Sequence, residues 1–325
     1  MTMGGGMRSI WLALLATALG TLAAPTLADG PLPQWAYPVN PPGLKPPPDD
    51  GVPRRLPGSA RSFTLTQIRD LYTAVDWYPD QHPPMPPVVA TGRNPGVFAC
   101  GFCHLPNGQG RPENSSLAGL PAEYIVQQLA DFRSGARRSS EPASLPINLM
   151  IAVAKATDEA DVKIAAEYFS ALRPKPWIRV VETDSVPRTQ VAGWMLVASE
   201  PRTMEPIGQR IIEMPENLER TELRDPASGF IAYVPSGSVE KGRMLAEGGA
   251  GRTTPCAVCH GTDLRGLGPV PPLAGRSPSY IVRQLHDIRH GTRNGPWTSL
   301  MQGVVARLDE ADFVAIAAYT ASLAP

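Results

Sequence analysis

Cys100-Gly101-Phe102-Cys103-His104 is the first of two Cys-x-x-Cys-His stretches in this chain; the second is Cys256-Ala257-Val258-Cys259-His260. Together they use all four cysteines of the 325 residues. On one helical turn, cysteines three apart direct both sulfurs to one edge of a flat ring, and the following histidine directs its imidazole at the ring centre. The pattern is typical of c-type haem attachment. We therefore expect two covalently bound haems c, with His104 and His260 as axial ligands to iron.

Two other uses of these cysteines are disfavoured. Zinc sites built from paired Cys-x-x-Cys usually place the pairs about 15 to 20 residues apart. Here one pair begins at Cys100 and the other at Cys256, and each has its own histidine. A cysteinate ligand to haem iron is excluded by count, because thioethers use all four sulfurs.

The first 28 residues have the features of an export signal. Arg8 supplies a positive charge, residues 10–22 form an apolar run, and Thr26-Leu27-Ala28 offers small residues for cleavage before Asp29. The run is short for a membrane span, which needs roughly 20 residues. Residues 1–28 are interpreted as a signal peptide, with an uncleaved anchor as the alternative. The protein is expected to be periplasmic, a compartment that suits haem attachment.

Composition excludes some partners. The formal charge is zero, from 30 basic and 30 acidic residues, so there is no basic field for nucleic acid and no polybasic patch for a membrane surface. Aromatic residues make up only 6% of the chain. A prosthetic group at the centre of each small domain would explain how so little apolar side chain suffices.

The second half of the chain repeats the first. A shift of 156 positions places Cys100 on Cys256, Leu117-Ala-Gly on Leu273-Ala-Gly, Tyr124-Ile-Val on Tyr280-Ile-Val, and Arg137 on Arg293. The first copy then has five extra residues, after which Met150 meets Met301 and Asp158-Glu-Ala-Asp meets Asp309-Glu-Ala-Asp. Self-similarity this ordered indicates two homologous modules.

Each module is predicted to be a small helical domain. A helix with an apolar face begins near Tyr124 in one copy and near Tyr280 in the other, and Gly135 and Gly291 are placed to end it. The last helices are predicted to begin near Asp158 and Asp309. Helices are also expected before the motifs, over 66–74 and 238–247. The fold class is therefore all-α, with two tandem domains.

The iron needs a ligand on its other face, and a methionine there would raise the reduction potential and leave no open site. Met150 and Met301 lie downstream of the motifs, between the two predicted helices and after a proline-bearing loop. A methionine is usually core filler. These two occupy equivalent repeat positions, however, so both are predicted to be axial ligands.

His286 and His290 are four residues apart, a spacing that could bind a metal. A solvent-facing pair on a surface helix is the preferred interpretation.

The predicted domains are a proline-rich segment over 29–62, the two helical modules over 63–173 and 236–325, and a joining segment over 174–235. The proline-rich segment is expected to be extended or disordered. The joining segment is expected to be mostly irregular with minor β-structure, including β-like runs at 209–213 and 229–234.

The order of these motifs resembles the class I cytochrome c family, and more narrowly the dihaem two-domain periplasmic cytochromes of the c-four type. The resemblance covers roughly 63–173 and 236–325. It implies covalent haem on Cys100 and Cys103 with His104 and Met150 as axial ligands, and a second haem on Cys256 and Cys259 with His260 and Met301. The long joining segment and proline-rich N-terminus depart from that family.

The leading functional hypothesis is single-electron transfer in a periplasmic respiratory chain, as a carrier or as the cytochrome subunit of a dehydrogenase. Its partners would be redox proteins: a dehydrogenase, a terminal oxidase or another cytochrome. A dihaem peroxidase is the alternative, but it needs a haem with an open coordination site, and the matching methionines argue against that. The protein is thus expected to be no enzyme itself.

Overall fold

The computed structural model describes residues 1–2 and 32–325, and residues 32–325 belong to a single unit. The predicted signal peptide over 1–28 lies outside the described residues apart from its first two. No helix in the described part of the chain is both long and apolar enough to cross a membrane.

The described part of the proline-rich N-terminal segment, residues 32–62, is extended and anchored. After a 3-10 turn at Gln34–Ala36, the hydroxyl of buried Tyr37 donates to the carboxylate of Asp287 at 2.8 Å. The guanidinium of Arg283 donates to the carbonyl of Ala36 at 2.7 Å. Farther on, strands β1 (Arg54–Arg55) and β2 (Ser62–Phe63) pair antiparallel. The sequence predicted that this segment is either extended or disordered, and its described part is extended. Aromatic side chains among the prolines provide apolar surface that can be buried against the rest of the protein.

The helices of the first module position its Cys-x-x-Cys-His motif. They are α1 (Leu65–Ile68), α2 (Pro87–Ala90), α3 (Cys100–His104), α4 (Ala122–Ser134), α5 (Leu145–Ala156) and α6 (Glu159–Ala171). As predicted, α4 ends at Gly135, whose φ of 79° is left-handed. The carboxylate of Asp158 caps α6 by accepting from the N–H of Asp161 at 2.7 Å. Helices α4 and α6 pack over a core that includes Ile125 and Phe169.

The prediction of a helix over 66–74 is wrong beyond its first turn, because α1 ends at Ile68. The carboxylate of Asp70 accepts hydrogen bonds from the N–H of Tyr72 at 2.9 Å and from the hydroxyl of Thr73 at 2.7 Å. A short acidic side chain that bonds nearby groups in this way competes with helical hydrogen bonding. The short helix α2 packs against α6 instead, with Val88 and Val89 fully buried.

The joining segment holds more β-structure than the sequence predicted. Its strands are β3 (Ile178–Glu182), β4 (Ser185–Pro187), β5 (Thr189–Ala192), β6 (Met195–Ala198), β7 (Met204–Pro206), β8 (Ile212–Pro215) and β9 (Phe230–Val234), with helix α7 (Leu218–Glu222) before the last. β9 lies between β3, which is parallel to it, and β8, which is antiparallel. The predicted runs overlap β8 and β9. The other strands, of three to five residues, are too short to give a clear alternating pattern.

The second module is built on two long helices that cross closely. Its helices are α8 (Ser238–Gly248), α9 (Ala257–His260), α10 (Pro278–Arg289), α11 (Ser299–Val305) and α12 (Glu310–Ser322). At the crossing of α8 and α12, a Cβ on Gly242 would lie 2.0 Å from the carbonyl oxygen of Ala315. Only glycine permits this approach. Asp309 caps helix α12, as the sequence predicted, and the cap with Asp312 is reciprocal.

The prediction of a solvent-facing histidine pair is wrong for His286, which is buried. Its ring stacks on His290 with centroids 4.1 Å apart and lies edge-on to Tyr37 at 5.6 Å. The N-terminal segment covers this face of α10, a contact between residues about 250 positions apart that local periodicity does not reveal.

Candidate haem-binding sites

The four cysteines lie on or next to two short helices, α3 and α9. All four are described, and none forms a disulfide. Burial raises the pKa of Cys100 to about 12 and that of Cys256 to about 11. Cys100 and Cys256 are therefore neutral thiols at physiological pH before any haem is attached.

The two motif histidines are held in the same way in both modules. Nδ1 of His104 lies 2.8 Å from the carbonyl oxygen of Ser115, and Nδ1 of His260 lies 2.7 Å from that of Pro271. A carbonyl can only accept, so Nδ1 carries the proton and Nε2 presents its lone pair. Burial lowers the pKa of both imidazoles, which favours this neutral form. Such a hydrogen bond is the usual support of a metal-binding histidine.

Glycines tighten the loops that bring these carbonyls to the histidines. Gly110 has a φ of 66°, and a Cβ there would lie 2.6 Å from the carbonyl oxygen of Ser115. In the second module Gly266 has a φ of 90°, with Val270 O at 2.8 Å from the same position. A side chain at either position would push the loop outward, so the sequence's Gly-rich stretch after each motif has a direct use.

Met150 and Met301 each lie on a helix of their own, between the two predicted helices of their module. Met150 is on α5 and Met301 on α11, and both are half-buried. Met301 packs against the core of the second module. A proline lies in the first turn of α5, and another begins the 3-10 turn just before α11. Each of these helices precedes the capped last helix of its module. Their ligation of iron stays a prediction.

A cluster of buried arginines joins the two modules. Arg137 donates to the side chains of Gln128, Tyr280 and Gln284, and Arg293 donates to those of Gln284, Tyr124 and Gln128, at 2.9 or 3.0 Å in every case. The two sets are related by the repeat, so each guanidinium reaches its own module and the other. A third arginine, Arg276, donates to the carbonyls of Ser116 and Ala118.

This cluster tests whether the residues present fit a haem. Among the described residues, Arg137, Arg276 and Arg293 have no hydrogen bond or ion pair with a carboxylate, and the Nε atoms of Arg276 and Arg293 have no partner. Burial lowers the pKa of Arg276 to about 10, so it stays charged. Buried cations are stable only when they are paired. The carboxylates of a haem are anions of the kind that these donors would satisfy, so the donor set fits.

Sequence reasoning identified Arg137 and Arg293 as repeat positions but assigned them no role. The repeat did single them out, because Arg137 and Arg293 align when one copy is placed on the other. Each also follows the glycine at the end of α4 or α10. What the sequence could not provide was the cross-module contact.

Comparison with known proteins places the chain in a family. A family model described as Cytochrome c matches residues 245–324. A cytochrome c-554(548) from Halomonas halodenitrificans is 37% identical over 78 residues, 24% of this chain and 94% of that protein. A thiosulfate dehydrogenase electron acceptor from Stutzerimonas stutzeri (strain A1501) is 29% identical over 238 residues, 71% of this chain and 82% of that protein. Cytochrome c4 from Azotobacter vinelandii is 24% identical over 229 residues, 69% and 84% of the two chains.

The chain therefore belongs to the cytochrome c family, and cytochrome c4 is among its relatives. It is an electron-transfer protein rather than an enzyme, and it carries covalently bound haem c.

Proposed function

We propose that this protein holds two haems c, one in each module, and passes single electrons between partner proteins of a periplasmic respiratory chain. The observation that supports this most directly is that the arrangement around His104 is repeated around His260. His104 and His260 are the last residues of the short helices α3 and α9, and each has the same hydrogen bond to a loop carbonyl at a position related by the repeat.

The proposed ligand sets follow the repeat. Cys100 and Cys103 would hold the first haem, with His104 and Met150 on its iron. Cys256 and Cys259 would hold the second, with His260 and Met301. A bound haem supplies an iron that gains and loses one electron. The protein's own contribution is to orient the imidazoles through Nδ1, to exclude water from the ring face, and to place cations at the junction between modules.

The proposed domains are the modules over 63–173 and 236–325, linked by the segment over 174–235. Their contact through Arg137 and Arg293 supports electron exchange inside the molecule, because it fixes the modules against each other.

We infer that the partner is a dehydrogenase, for which this protein is an electron carrier or cytochrome subunit. Support comes from the relative named as an electron acceptor of thiosulfate dehydrogenase, of whose length this chain covers 82%. The ordered joining segment and the anchored N-terminus give the molecule surface beyond its two modules. No observation favours the dihaem peroxidase.

The test is to express the full chain with a haem-attachment system and to count haems. We expect two haems per chain that survive denaturing electrophoresis, and a spectrum with the sulfur-to-iron charge-transfer band at the red end. A single haem would contradict the dihaem proposal. A colourless product that binds zinc would overturn the function altogether.

A further inference from the structure

The cysteine-bearing helices of the two modules have opposite exposure. Phe102 lies between the cysteines of the first motif, and Val258 is its equivalent in the second. Phe102 is 6% exposed and Val258 is 63% exposed. The difference comes from the joining segment, whose stretch over 218–228, here called the cap, covers α3 only. The cap contacts the loop after α3 through Asn107, which donates to the carbonyl of Pro226 at 3.0 Å, and Gln109, which donates to that of Ser228 at 3.1 Å.

Arg224 is the residue of the cap that meets the motif. Its guanidinium stacks on the ring of Phe102, 3.5 Å from the centroid, and its Nη1 donates to the carbonyl of Phe102 at 2.7 Å. Its Nε donates to the carbonyl of Ile68 at 3.2 Å. The backbone of Arg224 has a φ of 57°, a conformation that costs free energy for a residue with a side chain. The surrounding contacts hold it there.

The charge of Arg224 has no carboxylate hydrogen-bonded to it among the described residues. The other buried cation nearby, Arg111, is paired with Glu113. Arg111, Glu113 and Arg224 together therefore carry one net positive charge. Burial lowers the pKa of Arg224 to about 9, which leaves it cationic at neutral pH. The charge lies at the motif, because the guanidinium contacts Phe102, the residue between Gly101 and Cys103 of that motif.

The second module lacks every part of this arrangement. The equivalents of Arg111 and Glu113 are Leu267 and Pro269, both exposed and uncharged. The backbone is otherwise the same, since the bridge of Arg111 with Asn114 recurs between Leu267 and Val270. The two attachment sites therefore differ in charge and in solvent access while sharing one geometry.

We propose that Arg224 is a built-in tuning residue, a buried cation that raises the reduction potential of the first module's haem and makes the two haems inequivalent. This rests on the proposed function. Ferric haem has one more positive charge than ferrous haem, so a fixed cation at its edge disfavours the oxidised state. The cap keeps water away from that charge, and a charge in a medium of low dielectric constant acts more strongly. The second haem has no such cation on its cysteine edge.

The test is potentiometric titration of the purified dihaem protein. Arg224→Gln removes the charge and keeps a polar side chain, and it should lower one of the two midpoint potentials. We expect the electron distribution between the haems to shift about tenfold, which is about 59 mV for a one-electron couple. Arg224→Lys keeps the charge, so the midpoint potential should stay close to that of the unaltered protein. Arg202→Gln removes the same charge from a side chain that is 79% exposed, and should change neither potential.

Two further variants assign the haem and protect the test against misfolding. In a Met301→Ala background the potential of the second haem falls, so the remaining methionine-ligated haem is the first, and Arg224→Gln should act on that one. Glu113→Gln removes the anion beside Arg224 and should raise the same potential, the opposite sign. If both haems attach and neither substitution moves the first potential, the proposal fails while the dihaem function stands. If haem does not attach to the unaltered chain, the function itself fails.

Discussion

Arg137 and Arg293 occupy equivalent positions of the two modules, pair through their backbones, and each donates to the glutamine of the other module. Because they share Gln128 and Gln284, their contributions to stability should not add. Hydrogen bonds from charged groups contribute about 1.5–3 kcal/mol. We expect Arg137→Gln and Arg293→Gln each to cost about 3 kcal/mol, with a coupling energy of about 0.5–3 kcal/mol in the double variant.

Urea unfolding of the haem-loaded protein, followed by tryptophan fluorescence, measures these free energies. Arg243→Gln is the control, because Arg243 is an exposed arginine on α8 that pairs with Glu240 and Glu247 of its own helix. Strict additivity of the two interface substitutions would mean that the modules are not joined through this cluster.

Methionine ligation predicts a spectroscopic loss in each module. Met150→Ala and Met301→Ala should each remove about half of the sulfur-to-iron charge-transfer band, because one of two methionine sulfurs is lost. Met244→Ala, on an exposed side of α8, should leave the band whole. Absorption and magnetic circular dichroism of the oxidised protein measure it. An undiminished band in both variants would show that other residues provide the sixth ligands.

The helix crossing in the second module predicts a large effect of a small substitution. Gly242→Ala puts a methyl group 2.0 Å from the carbonyl oxygen of Ala315, so α8 and α12 must separate. Overpacking of this kind costs about 3 kcal/mol. Gly248→Ala, at the end of the same helix, has no atom within 4 Å of its new Cβ and should be neutral or stabilising by up to about 1 kcal/mol. Equal thermal midpoints for the two variants would contradict the crossing.

The burial of Glu213 predicts that the stability of the protein depends on pH. Its carboxylate is buried and accepts hydrogen bonds from the hydroxyls of Ser277 at 2.7 Å and Ser279 at 2.5 Å, and from the N–H of Ser279. Burial raises its pKa in the folded state, and the serine hydrogen bonds only partly offset this. A group whose pKa is higher in the folded state than in the unfolded state stabilises the fold fully at a pH below its unfolded pKa, about 4.3 for Glu. This stabilisation is lost as the pH rises through the pKa of the folded state.

The stability of the unaltered protein relative to Glu213→Gln should therefore increase as the pH falls from 7.5 towards 4.5. Urea midpoints of the two proteins across this range measure the difference, and comparing them cancels the titration of all other groups. A difference that does not change with pH, or that changes in the opposite sense, would count against a raised pKa of Glu213.

Local signals in the sequence predicted the helical modules well. Gly135 and Asp158 bound their helices as expected, because helix ends depend on backbone conformation and on capping within four residues. The failure at 66–74 was also local, since the carboxylate of Asp70 offers hydrogen bonds that a pattern of apolar residues does not register. What escaped prediction depends on distant contacts. Arg224 meets Phe102 across 122 positions, and His286 is covered by Tyr37 from the other end of the chain.

The crossed arrangement of Arg137 and Arg293 has a consequence for how small this protein could become. Neither guanidinium is satisfied by its own half, since each takes acceptors from the opposite copy. Cutting the chain in the middle would open both to water and remove the acceptors that hold them in place. The minimal unit with this interior is the duplicated pair, so duplication here produced a single interdependent body and not two interchangeable halves.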